Sequence, residues 1–271
     1  MSTVTIQKPI RLSTGVFTEA ELRCFDSLGE DYFPSEETRP VGESDWHYLS
    51  INTAFQLLRH FFAEPSDVYI AANHFIYWDR TQKGLVAAPD LYVVKGAGRR
   101  PRSSYKLWEE GGRTPDVVFE FASEETGKQD LGAKKDLYEQ ALGVPEYFLF
   151  DPTGRIYPER LLGYRLEGGV YQPIRLVDGR LPSIQLGLEL LAEGILLRFF
   201  DPARGALIPT PAEIEAARHQ AEERAETEAT VRRQAEDRAE TEAAVRRQVE
   251  AETAQLRAEL DALRERNRPG R

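Results

Sequence analysis

Cysteine, methionine and long apolar runs are what this 271-residue chain has least of, with one residue each of the first two. The single cysteine, Cys24, leaves no partner for an intramolecular disulfide and excludes a Cys-rich zinc site. No apolar run approaches the roughly 18 residues of a membrane-spanning helix. The N-terminus also lacks the hydrophobic segment of a signal peptide. A cytoplasmic protein without membrane contacts is therefore expected. Positive charge is short as well: a net charge of -10 and a pI near 5.1 argue against a high-affinity, non-specific nucleic-acid binder. The exception is a local cluster, Lys95, Arg99, Arg100, Arg102 and Lys106, which reads equally well as a basic patch or a solvated loop. Glycine and proline are missing from residues 212–268, so that segment has nothing to interrupt a helix.

What is present falls into three parts. Residues 1–40 are polar and punctuated by proline and glycine, and read as an irregular arm with one short helix around Glu19–Leu28. Residues 41–210 alternate helical and strand patterns. Trp46, Leu49, Ile51, Ala54, Leu57, Leu58 and Phe61 recur at helical spacing behind Ser44 or Asp45 as N-cap. Strands are expected at Val68–Ala72, Phe75–Asp79, Asp90–Lys95, Val117–Phe121 and Glu146–Phe150. A helix over Gln129–Leu142, stopped by Gly143 and Pro145, joins the last two of these. A hairpin follows around Glu167-Gly168-Gly169, with a last strand at Ile195–Phe200. This order is that of an α/β or α+β core. Residues 211–271 are a charged tail in which AEERAETEATVRRQ (Ala221–Gln234) is followed by AEDRAETEAAVRRQ (Ala235–Gln248). Fourteen residues are two heptads, but Glu228 and Glu242 fall on the seam. A coiled coil supporting a homodimer and a solitary solvated helix both remain open.

The chemistry concentrates in Pro115–Pro152. Glu120 interrupts an apolar run that reads as a buried strand, where a carboxylate is costly without a compensating cation. An edge strand turning Glu120 to solvent is the alternative. Carboxylates that bind Mg²⁺ or Mn²⁺ must converge. Asp116 stands four residues before Glu120, about 13 Å along an extended strand, too far to share an ion. Asp90, opening the apolar strand Leu91–Val94, is the better partner, although Pro-Asp at a strand entrance is also ordinary turn chemistry. Lys134 on the following helix could then reach in.

Several ordered motifs carry a family resemblance. They are Ala88-Pro89-Asp90-Leu91-Tyr92-Val93-Val94, then Pro115-Asp116 with Glu120 and Ser123, then Asp130, Lys134 and Tyr138 at four-residue steps. Gly143-Val144-Pro145-Glu146-Tyr147 and Asp151-Pro152 follow, with Tyr32-Phe33-Pro34, Glu43 and His47 upstream and Leu186-Gly187-Leu188 downstream. As a set they resemble the Uma-two family of bacterial endonucleases, within the PD-(D/E)XK restriction-endonuclease-like superfamily, over roughly residues 30–210. The resemblance implies a mixed central sheet flanked by helices, with DNA as the substrate. It also implies a Mg²⁺ or Mn²⁺ site on Asp90 and Glu120, and Glu43 as a helix-borne acid. The superfamily lysine belongs two residues after the glutamate, where this chain has Ala122. Lys134 replaces it from the next helix, in preference to Lys135, because Asp130, Lys134 and Tyr138 share one helical face. Catalytic candidates are thus Asp90, Glu120 and Lys134, with Glu43, Asp116, Gln129, Tyr138 and His74 as supporting ones. Two functions stand: metal-dependent phosphodiester hydrolysis, or a nuclease fold kept as an interaction module that works through its tail.

Overall fold

The structure, a computed structural model, describes residues 44–64, 67–123 and 127–266, with positions 19, 22, 23, 27, 29 and 31–33 before them. Most of the helix expected around Glu19–Leu28, and Glu43, lie outside the described residues. The chain divides into two compact units, Met1–Pro211 and Ala212–Arg271. Among the described residues no helix is long and apolar enough to cross a membrane.

The first unit is α+β. Helix α1 (Asp45–Phe61) starts at Ser44, whose hydroxyl accepts the His47 amide at 3.4 Å. Its buried arc is Ser50, Ile51, Ala54, Leu57 and Leu58. Trp46 and Leu49, expected on that face, are 55 % and 45 % exposed. At 100° per residue Leu49 sits about 160° round the helix from Ile51, off the arc that meets the sheet, whereas Trp46 is on the arc's edge and exposed in the first turn.

The strands are β1 (Val68–Ala72), β2 (Ile76–Tyr77), β3 (Val86–Ala87), β4 (Leu91–Lys95), β5 (Tyr105–Lys106) and β6 (Val117–Phe121). They continue as β7 (Glu146–Phe150), β8 (Leu161–Glu167), β9 (Val170–Pro173), β10 (Leu181–Ser183), β11 (Leu188–Glu193), β12 (Leu196–Asp201) and β13 (Ala206–Leu207). The central sheet runs β1-β4-β6-β7-β8-β9. Within it β6 and β7 are parallel and every other pair is antiparallel. A second sheet, β10-β11-β12-β13, and a small β3-β2-β5 sheet complete the unit.

Side-chain alternation divides the central sheet between two cores. Leu91, Val93, Val117, Phe119, Phe121, Phe148 and Phe150 pack with α1 and with Leu190, Leu197 and Phe199 of the second sheet. Tyr92, Val94, Val118, Tyr147 and Leu149 face the other way, onto Leu137, Tyr138 and Leu142. Each large apolar side chain buried this completely contributes about 1.5–3 kcal/mol. Strand β6 is internal, so Glu120 is fully buried and the solvent-facing alternative does not hold.

The single helix expected over Gln129–Leu142 is instead three pieces: α2 (Gly127–Leu131), α3 (Ala133–Asp136) and a wide π turn, Leu137–Ala141. Gly132, at φ -116° and ψ -102°, breaks the first junction. In the π turn the Leu142 amide donates to the carbonyl of Leu137, five residues back. Phe75–Asp79 contracts to β2, while β10 and β11 were not expected. Strand β11, LELLAE, is built of good helix formers and becomes a strand only by pairing on both sides with β10 and β12.

The second unit is helix α4 (Pro211–Arg266), exposed wherever its side chains are described. Arg218–Glu222, Arg232–Glu236 and Arg246–Glu250 pair along it at 3.0, 2.9 and 2.9 Å.

Candidate active site

The β4–β6 ladder pairs Leu91 with Phe119 and Tyr92 with Val118, so one step further Asp90 faces Glu120 across the two strands. Asp90 is fixed by the end of β6: the Phe121 amide donates to its Oδ2 at 2.6 Å. From α1, His47 donates through Nε2 to the Phe121 carbonyl at 2.8 Å and lies 3.5 Å from the same Asp90 oxygen. A carbonyl can only accept, so Nε2 carries the proton.

Glu120 meets the helical segment that returns the chain to β7. The Tyr138 hydroxyl donates to Oε1 at 2.7 Å and Lys134 Nζ to Oε2 at 2.9 Å. Nζ also lies 3.0 Å from Asp130 Oδ1, one helical turn back. Asp130 is itself buried, with the Tyr157 hydroxyl 3.3 Å from its Oδ2. Tyr157 is presented by a loop wound round Asp151, which accepts the amides of Thr153, Gly154, Ile156 and Tyr157.

Electrostatics separates the three acids. Burial drives Glu120 up to about 8; Lys134 opposes that rise, and neighbouring Asp90 and Asp130 add to it. Burial likewise raises Asp130, against the pull of Lys134. Burial acts on Asp90 too, but the His47 hydrogen bond, the Lys134 charge and the Phe121 amide outweigh it and hold the carboxyl below its ordinary value. Lys134 loses solvation, yet Glu120, Asp130 and Asp90 raise its affinity for a proton further still. Three carboxylates against one ammonium leave two formal negative charges.

The structure thus brings Asp90, Glu120, Lys134 and Tyr138 together. Lys135 points elsewhere, 4.9 Å over the Tyr164 ring. Asp116 is at the opposite end of β6, accepting the Lys95 amide at 2.7 Å. Gln129 is exposed. His74 is bound between the Tyr92 hydroxyl and the Arg102 carbonyl at 2.7 and 3.0 Å. The basic cluster is largely structural: Arg100 and Arg102 both pair with Glu110, and Arg102 is stacked 4.1 Å over Tyr69. Among the described residues no group of three or more His, Cys, Asp or Glu side chains forms a cage that could hold a metal ion.

Residues 36–196 match the model of the Uma2 family, described as "Putative restriction endonuclease". The chain belongs to that family. One solved structure it resembles is a "putative nuclease belonging to DUF820" from Anabaena variabilis, at 14 % identity and a TM-score of 0.40. That alignment covers 55 % of this chain and 76 % of the other. None of the curated proteins matches. The Uma2 match includes α1, β4, β6 and the α2–α3 segment, and so every side chain of the cluster.

Three members of the cluster were not among the sequence's site candidates: His47, present only in the upstream motif, Asp130 and Tyr157. Asp130 was visible only as the first of three residues at four-residue steps. Tyr157 gave no signal, because its place depends on how the loop folds round Asp151.

Proposed function

We propose that this Uma2-family chain is a Mg²⁺- or Mn²⁺-dependent DNA endonuclease that hydrolyses phosphodiester bonds. Asp90 and Glu120 are the carboxylates that hold the ion, and Lys134 supplies the site's cation from the helix after β6. The observation that carries this reading is Asp90 facing Glu120 across β4 and β6 with Lys134 Nζ 2.9 Å from Glu120.

The donor set fits a divalent ion on charge: two formal negative charges remain after Lys134, and Glu120 otherwise holds a proton in the neutral range. Two carboxylates are a sparse cage, which suits Mg²⁺, an ion that keeps waters and takes further oxygens from a substrate phosphate. The ion would supply Lewis-acid charge at the phosphate and a more acidic water. The chain's own groups do the rest. His47 and the Phe121 amide fix the Asp90 carboxylate, while Tyr138 fixes one oxygen of Glu120. Lys134, anchored on Asp130, can stay in place as Glu120 turns to its ligand, and its ammonium offsets charge building on the phosphate oxygens. With an acidic chain, and with Arg100 and Arg102 of the basic cluster paired to Glu110, DNA affinity should be weak and strongly salt-dependent.

A second reading, a catalytically inert nuclease fold serving as an interaction module, is favoured by one observation. Lys134 already satisfies both Glu120 and Asp130. Cleavage of supercoiled plasmid in Mg²⁺ or Mn²⁺ separates the two. Wild type should nick DNA and Glu120→Ala should lose that activity; equal residual cleavage by both discards the assignment.

A further inference from the structure

The 56-residue helix α4 leaves apolar side chains in water, with Val231, Val245 and Val249 each 55–61 % exposed. Its sequence also says what could cover them. Within the heptads of the repeat, one seam position carries Ala221, Glu228, Ala235, Glu242 and Val249. The companion position carries Ala217, Arg224, Val231, Arg238 and Val245.

We propose that α4 pairs with α4 of a second copy of this chain in antiparallel orientation, centred near Arg233. In an antiparallel pair the first seam position of one helix meets the companion position of the other. With this centre, Glu228 meets Arg238 of the partner subunit and Glu242 meets Arg224 of the partner subunit. Each valine meets an alanine: Val231 with Ala235, Val245 with Ala221 and Val249 with Ala217. At the margins Ile214 meets Glu252, and Leu256 and Leu263 extend past the paired length, because their counterparts would fall before Pro211. Sliding the pair by one heptad sets Glu228 against Val231 or Val245 instead. Turning it parallel stacks Glu228, Glu242, Arg224 and Arg238 each on its own copy, four like-charged layers. Charge at the seam therefore selects both direction and register. Arg218, Arg232 and Arg246, which flank the seam, are each paired with a glutamate of their own helix and bring little net charge to the contact.

The test uses the full chain in a Cys24→Ser background, with light scattering and disulfide trapping. The unmodified chain should be dimeric at micromolar concentration. Arg224→Glu with Arg238→Glu should weaken the dimer at least about 100-fold, since like charges then face each other across the seam. Adding Glu228→Arg and Glu242→Arg should restore it to within about tenfold, because the swap re-forms opposite pairs. Ala221→Cys mixed with Val245→Cys should give the mixed disulfide in preference to either homodisulfide. A monomeric chain, a dimer indifferent to the charge reversal, or preferential 245–245 trapping would each overturn the proposal.

Discussion

Lys134→Met, studied in metal-free protein with a chelator present, isolates what the ammonium does for the fold. Methionine keeps most of the length and removes the charge, leaving Glu120 and Asp130 buried without their shared cation. Removing one partner of a buried ion pair costs about 3–5 kcal/mol where the stranded charge stays charged. It need not stay charged here. Glu120 is raised from 4.5 to about 8, so the folded chain holds a proton that the unfolded chain releases between those values. A group raised in this way contributes stability that is fully present below its unfolded value and is lost as pH climbs through its folded one. Asp130 is raised in the same direction. At pH 5 Glu120 is protonated and the variant should lose only about 1–2 kcal/mol, mostly packing and hydrogen bonding. The loss should widen as pH rises past about 8, where wild-type Glu120 ionises beside Lys134, and should approach the full loss of about 3–5 kcal/mol only well above that pH. Urea unfolding followed by tryptophan fluorescence measures this in the first unit alone, because Trp46, Trp78 and Trp108 all lie there. Equal stability of the two proteins at pH 8, or a larger loss at pH 5 than at pH 8, would refute the reasoning.

Tyr138→Phe removes only the hydroxyl that donates to the buried Glu120 carboxyl, and should cost about 1.5–3 kcal/mol in the same unfolding assay. Asp151 is buried, which raises its carboxyl, but the backbone amides it accepts and the Thr153 side chain win and hold it low. Asp151→Asn should therefore destabilise the protein at neutral pH, with the gap to wild type closing as pH falls below about 4; a gap independent of pH would show that the charge is not what holds the loop. Gly163→Ala places a Cβ 2.9 Å from the Phe148 ring and 3.2 Å from Leu181 Cδ1, and should cost about 1–3 kcal/mol in chemical denaturation.

The sequence made the centre of the site legible through two violations of ordinary patterning. A glutamate in the middle of VVFEF has no packing reason to be there, and Asp130, Lys134 and Tyr138 at four-residue steps place three polar groups on one face of a helix that must cover a sheet. Those two facts were enough to choose Lys134 over Lys135. The contribution of His47 was much less legible: α1 reaches Phe121 and Asp90 through contacts 74 and 43 positions away, and no local spacing encodes them. Asp116 shows the opposite hazard. Its Pro-Asp pair looks like a site motif, yet its carboxylate ties the ends of β4 and β6 together by accepting the Lys95 amide. Helix continuity over 129–142 also misled, since nothing in LYEQA distinguishes a π turn from an α turn until Leu137 and Leu142, five residues apart, must both face the core.

That wide turn bears on which length changes the domain can absorb. Leu137 and Leu142 are both buried although five residues apart, while Lys134 and Tyr138 keep the four-residue interval that delivers them to Glu120. Omitting the exposed Gln140 would let an ordinary α turn bring the same two leucines under one another, upstream of which nothing moves. The segment has the geometry of a single inserted residue. Among the described residues between β6 and β7 it is a place where the chain could be shortened by one residue and still hold the ammonium in place.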